Sequence, residues 1–165
     1  MANADALFTE HQAGVFRYLR RVIGQVDAAH DLTQEVFLRV ARAGVPEASD
    51  DARRAWVFRI ARNLALNHLR DTRRRPEATG IVELTRPPTQ EMGLALDRAL
   101  ASLGDLDRDV FLLRESGGLS YPEIADACEI TVDAVRSRLH RARVHLREQL
   151  DAPLVEQRAR GIRIG

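Results

Sequence analysis

The sequence predicts an all-α chain of two small helical domains joined by a flexible linker, and three observations carry that prediction. Apolar residues recur at three- and four-residue steps through both halves of the 165 residues. Only four residues (IVEL, 81–84) could be briefly extended, and no strand is assigned. Between the halves, residues 76–91 (PEATGIVELTRPPTQE) hold three prolines and no apolar period, the composition of a linker.

In the first half, Leu7, Phe8, His11, Val15, Leu19 and Val22 form one stripe that ends near Gly24. Asp27 is placed to cap a second helix with Leu32, Val36, Phe37 and Val40 inside and Gly44 at its end. Residues 44–51 (GVPEASDD) read as a loop. A third helix runs from about Arg53 to Arg73, with Trp56, Val57, Ile60, Ala61, Leu64 and Leu69 facing its core. Beyond the linker, Leu94, Leu96, Leu100 and Leu103 precede Gly104. Asp107 is expected to cap a helix carrying Val110–Leu113, stopped by Gly117 and Gly118. Ser120 with Glu123 three residues on forms a capping box, with Pro122 in the first turn. A turn of Cys128, Glu129 and Ile130 follows. Thr131 caps the last helix, whose inner stripe is Val132, Val135, Leu139, Ala142 and Leu146. The tail, 151–165, is expected to be loose.

Charge is distributed unevenly. The net of +1 conceals −2 over residues 1–50, +6 over 51–75, −8 over 76–135 and +5 over 136–165. Two short basic blocks separated by an acidic stretch suggest two contacts with a polyanion. All 25 basic residues are Arg, a side chain that pairs bidentately with phosphates and base edges. Several classes fall away. No run of roughly 18 apolar residues suggests a membrane span. The first residues lack a secretory pattern, so a cytoplasmic location is expected. The single Cys128 gives no internal disulfide framework and no Cys-based zinc cluster. Neither a phosphate-cradling Gly loop nor an HExxH or GxSxG pattern is present, so no catalytic residue, cofactor or metal site is assigned.

Residues 120–148 describe a helix-turn-helix whose second helix is basic. Ala125 is small where the two helices cross, and Ile130 can plug the turn. Asp133, Arg136 and Ser137 sit at the end that enters the major groove deepest and are the expected base readers. His140 also lies off the apolar stripe, and Arg141, Arg143 and Arg147 lie further along, where phosphate contacts are expected. The other basic block gathers Arg53, Arg54, Arg59, Arg62, Arg70 and Arg73–Arg75 around Trp56, Asn63, Asn67 and His68. Arg draws phosphates, Asn can read base edges, and an aromatic ring can stack on an unpaired base.

At this point the motifs resemble a family. The stretch DAAHDLTQEVFLRVARA (27–43) resembles the region-two helix of bacterial sigma factors, where Asp-Leu-x-Gln-Glu-x-Phe recurs. WVFRIARNLALNHLRDTRRR (56–75) is similar to the adjoining helix that handles the minus-ten element. LSYPEIADACEITVDAVRSRLHRARVHLRE (119–148) is similar to region four, with its Val-x-Ser-Arg-Leu-x-Arg-Ala-Arg signature. By this resemblance the chain is of the minimal, extracytoplasmic-function (ECF) class, with region two at 1–75, a linker at 76–92, region four at 93–150 and a tail at 151–165.

The resemblance implies roles. Asp31, Leu32, Gln34, Glu35, Phe37, Leu38 and Arg39 would dock on the clamp helices of the largest subunit of core RNA polymerase, with region four toward the flap. Trp56, Arg59, Arg62, Asn63, Asn67 and Arg70 would handle the minus-ten DNA. Asp133, Arg136, Ser137, Arg138, His140, Arg141 and Arg143 would face the minus-thirty-five DNA. Loop 44–51 corresponds to a pocket for a flipped-out promoter base, and binding an extruded base lowers the cost of opening the duplex. An anti-sigma factor wedged between the domains is the further partner implied, and no membrane contact of the chain's own is expected. The sequence departs from the family at Asp133-Ala134-Val135, where Gly-Thr-Val or Gly-Ser-Val is frequent. The competing readings are a stand-alone helix-turn-helix regulator and a DNA-processing enzyme. The second lacks carboxylates converging beside the basic faces.

Overall fold

A computed structural model describes residues 3–74 and 91–161, all in helices and short connections. Helices α1 (Ala4–Ile23), α2 (Val26–Ala43) and α3 (Asp50–Arg74) pack pairwise into one bundle. The second bundle is built from α4 (Glu91–Ala101), α5 (Asp105–Glu115), α6 (Tyr121–Cys128) and α7 (Val132–Gly161). The two bundles meet along α3 against α6 and along α1 against α5.

Capping chemistry places the helix ends. Asn3 accepts from the Ala6 amide at 2.8 Å and opens α1. Gly24, at φ 80°, closes α1 by donating its amide to the Arg20 carbonyl. Ser120 and Glu123 form the reciprocal capping box at α6. Thr131 Oγ1 accepts the Ala134 amide at 3.1 Å and starts α7.

The structure corrects several details of the sequence reading. Helix α2 begins one residue before Asp27, because the left-handed Gly24 leaves only Gln25 between the helices. Helix α5 begins at Asp105 with Gly104 as its N-cap, so Asp107 lies inside the first turn. Its carboxylate is engaged by Arg138 at 2.8 Å and is unavailable for capping. The loop after Gly44 is shorter than expected, since Ser49 Oγ accepts the Ala52 amide and α3 starts at Asp50. Cys128 belongs to α6, and the turn proper is Glu129, at φ 57°, with Ile130. The helix does not end near residue 150. α7 continues through Pro153 to Gly161. Residues 76–90 of the expected linker lie outside the described residues, and α4 takes up Glu91 and Met92.

The core is one buried cluster that runs through both bundles. Val15, Leu19, Val36, Val40, Val57 and Phe58 form its first part. Leu113, Leu119, Ile124, Val135 and Leu139 form the second. Phe58 reaches the junction, where the chain turns sharply between α5 and α6. A Cβ on Gly117 would lie 2.7 Å from the Leu113 carbonyl oxygen, 2.9 Å from the Phe58 ring and 3.1 Å from Leu119. Two of these neighbours are packed rings or methyls and the third is backbone, so the site has no room to give. Gly117→Ala is expected to destabilise the fold by about 1–3 kcal/mol, read as a lower urea midpoint with an unchanged denaturant slope.

Candidate nucleic-acid interface

Helix α3 divides the expected minus-ten residues into two sets. Asn63, Asn67 and Arg70 are exposed, and Trp56 is half-buried at the edge of the core. Arg59 and Arg62 instead turn toward the second bundle. Arg62 Nε donates to Asp109 of α5, and Arg59 Nη2 reaches Asp126 Oδ1 of α6 at 3.0 Å as well as the Asp126 carbonyl. Arg54, one helical turn earlier, donates to the carbonyls of Gly117 and Gly118 and lies 3.4 Å from Glu123 Oε2.

The Asp109 carboxylate is the centre of this seam. Its other oxygen accepts from the hydroxyl of Tyr18, which is almost wholly buried. Burial first, and the neighbouring Asp109 charge second, push the Tyr18 hydroxyl well above its usual range, so it stays protonated and donates. A groove of about 390 Å³ opens beside this cluster, floored by Leu66, Leu69 and Leu112 and rimmed by Arg70, Arg73 and Arg108.

The second basic face lies on α7. Asp133, Arg136, Ser137, His140, Arg141 and Arg143 are exposed. Arg136 pairs loosely with Asp133 at 2.9 Å, an exposed i,i+3 contact worth little. Arg138 is half-buried and held by Asp107, so it orients α7 against α5 rather than offering itself outward. Arg143 lies 3.5 Å from Glu115.

On α2, the residues expected to dock on polymerase fall into an outer and an inner group. Asp31, Gln34, Leu38 and Arg39 are exposed, and Glu35 pairs with Arg39 at 3.0 Å. Leu38 is 49% exposed, a large apolar side chain among polar ones. Phe37 points inward, 5.1 Å edge-on to Phe8, and Leu32 packs partly against the core. The outer stripe at 31, 34, 35 and 38 follows helical spacing.

Residues 7–75 match Sigma-70 region 2, and residues 93–146 match Sigma-70 region 4. The chain is 37% identical over 149 residues to the ECF RNA polymerase sigma factor SigL of Mycobacterium tuberculosis, covering 83% of this chain and 82% of that one. The chain belongs to the ECF sigma factor family. It is also 34% identical over 161 residues to the ECF RNA polymerase sigma factor SigE of Mycolicibacterium smegmatis, and spans 62% of that relative's length. Among solved structures it resembles CnrH in complex with the cytosolic domain of CnrY, with a TM-score of 0.71, 25% identity and coverage of 90% and 88%. The sigma factor RpoE of Bartonella quintana, in complex with the anti-sigma factor NepR, shares the fold at TM-score 0.68 and 21% identity, with coverage of 89% and 96%.

Sequence reasoning missed Tyr18, Asp109 and Asp126. A signal for Asp109 was present: it occupies a stripe position between Leu106 and Leu113, where an acid is costly to bury unless it is partnered. Nothing local could name its partners, since Tyr18 is 91 residues away.

Cys128 is buried near this seam, and burial, followed by the Asp109 charge, raises its thiol to about 12. Thiolate-directed reagents are therefore expected to label it at pH 8 only after unfolding, measured as thiol modification with and without denaturant. Tyr18 and Cys128 both ionise more readily in the unfolded chain. Their contribution to stability is complete below about pH 9 and declines as pH rises toward 12.

Proposed function

We propose that this chain is a promoter-specificity subunit that binds core RNA polymerase and directs promoter recognition, melting and initiation at a particular set of promoters. One observation carries the reading. Two separate Arg-rich helical faces, on α3 and on the second helix of a helix-turn-helix, occur in one chain in the order of the family's two regions. In this reading residues 1–75 bind polymerase and the minus-ten element, 76–92 link, and 93–150 bind the minus-thirty-five element. Residues 151–161 continue α7 beyond that unit. The outer stripe of α2 (Asp31, Gln34, Glu35, Leu38 and Arg39) meets the clamp helices, with Leu32 and Phe37 holding the helix from inside. Trp56, Asn63, Asn67 and Arg70 take the melted strand, joined by Arg59 and Arg62. Arg136 and Ser137 read bases, flanked by Asp133, Arg138 and His140. Arg141 and Arg143 hold phosphates. Melting is driven by preferential binding of the open strand and needs no catalytic group.

No described helix is long and apolar enough to cross a membrane, which accords with a protein acting in the cytoplasm beside polymerase. Control by an anti-sigma factor follows from the family and from CnrH, a neighbour seen with a partner chain. Two modules held at fixed spacing by polymerase give bivalent recognition, so affinity of the free chain for promoters is low.

Run-off transcription with purified core polymerase on a pool of genomic fragments tests this directly. Discrete new start sites are expected. Absence of transcripts, together with tight duplex binding by the chain alone, would replace this reading with a stand-alone regulator. Asp31→Ala with Glu35→Ala is expected to weaken core association on the order of tenfold, measured by fluorescence titration, with unchanged thermal unfolding. Arg136→Ala with Ser137→Ala is expected to reduce transcription from promoters that depend on the upstream element by roughly tenfold or more while leaving core affinity intact.

A further inference from the structure

We infer that the groove between α1, α3 and α5 is a binding site for a soluble amphipathic anion, a medium-length alkyl carboxylate. Its chain lies on the leucines and its head is held by the arginines. The site stands on the groove's own geometry and does not rest on the proposed function.

Three helices build the groove. Val22 of α1, Leu66 and Leu69 of α3 and Leu112 of α5 supply its apolar surface. Leu66 is 38% exposed, so part of that surface meets water. On α3, positions 66, 69, 70 and 73 share one face. The apolar pair therefore passes straight into the arginines over about 10 Å of helix. Arg70, Arg73 and Arg74 are exposed and have no acidic partner among the described residues. Arg108 joins the lining from α5, paired with the exposed Asp105 at 3.0 Å. The buried acid of the lining, Asp109, is already shared by Tyr18 and Arg62. Arginines outnumber acids in the lining by four to two, and both acids are engaged. Arg73 and Arg74 also suit the C-terminal end of α3, but Arg108 sits in the first turn of α5, where the helix dipole disfavours a cation.

These features select the ligand. Free guanidinium groups attract a negative head, and a guanidinium meets a carboxylate with two parallel bonds. An aliphatic floor gives a nucleic-acid backbone or a bare phosphate no apolar surface to match. Each methylene of an alkyl chain gains by leaving water there. Tyr18, the one ring of the lining, is almost wholly buried, so a base or aryl group has no exposed ring to stack on. The volume of about 390 Å³ lies within the range of ligand clefts, roughly 300–1,000 Å³.

Calorimetric titration of dodecanoate into the full chain, below the micelle-forming concentration, tests the site. One equivalent per chain is expected, with a rise in the thermal unfolding midpoint. Dodecyltrimethylammonium has the same chain with a cationic head, and acetate has the head with almost no chain. Neither is expected to bind. Leu66→Gln, and separately Arg73→Gln with Arg108→Gln, are each expected to weaken dodecanoate on the order of tenfold. Circular dichroism checks that the variants stay folded, and Leu66→Ala replaces Leu66→Gln if helix content falls. Absence of both heat and midpoint shift overturns the inference. Equal binding of the two dodecyl compounds overturns it in favour of an unselective apolar surface. Acetate or inorganic phosphate binding as tightly as dodecanoate overturns it in favour of a simple anion site. Unaltered affinity in the folded variants, or several equivalents per chain, overturns it as well.

Discussion

The rest of the structure depends on the burial of one carboxylate. Asp109 sits where α1, α3 and α5 converge, and its two oxygens are divided between a phenol and a guanidinium from the other bundle. Low local polarity strengthens both bonds and makes either one hard to lose alone. Around this point the packing is close: Phe58 lies against Gly117 on one side and Gly14 on the other, and both are too small to push the helices apart. Charge and shape thus fix the same geometry, and the seam becomes a continuation of the core rather than a contact between two surfaces.

Much of the fold was legible because helices advertise themselves locally. The stripe on α1, the capping box at α6, the Thr131 cap and the glycines after α5 all lie within a few residues of the feature they determine. The errors share one cause. Asp27 and Asp107 look like caps by type and position, yet neighbouring turns and a distant arginine decide what each side chain does. The continuation of α7 was underestimated because the expected end rested on composition alone. The helix in fact runs through Pro153, a poor helix former, to Gly161.

The site was legible in a different proportion. The basic faces on α3 and α7 and the outer stripe of α2 follow from residue type and spacing, and the exposed positions Asn63, Asn67, Arg136 and Ser137 stand where a helical wheel puts them. What spacing cannot convey is which arginines are spoken for. Arg59, Arg62 and Arg70 are equivalent as letters. In the structure two are drawn into acids from the second bundle, while the third rims an open groove. Pairings of that kind cross more than 40 residues of sequence, and a single sequence carries no record of them.

The double engagement of Arg59 and Arg62 bears on how such a protein diverges. A change at either position alters the basic face of α3 and its seam with the second bundle together. Changes at Asp109, Tyr18 or Asp126 alter the seam and leave the arginines exposed on α3 and α7 in number and place. Stability can therefore drift through the acids and the tyrosine while the outward charge pattern stays constant.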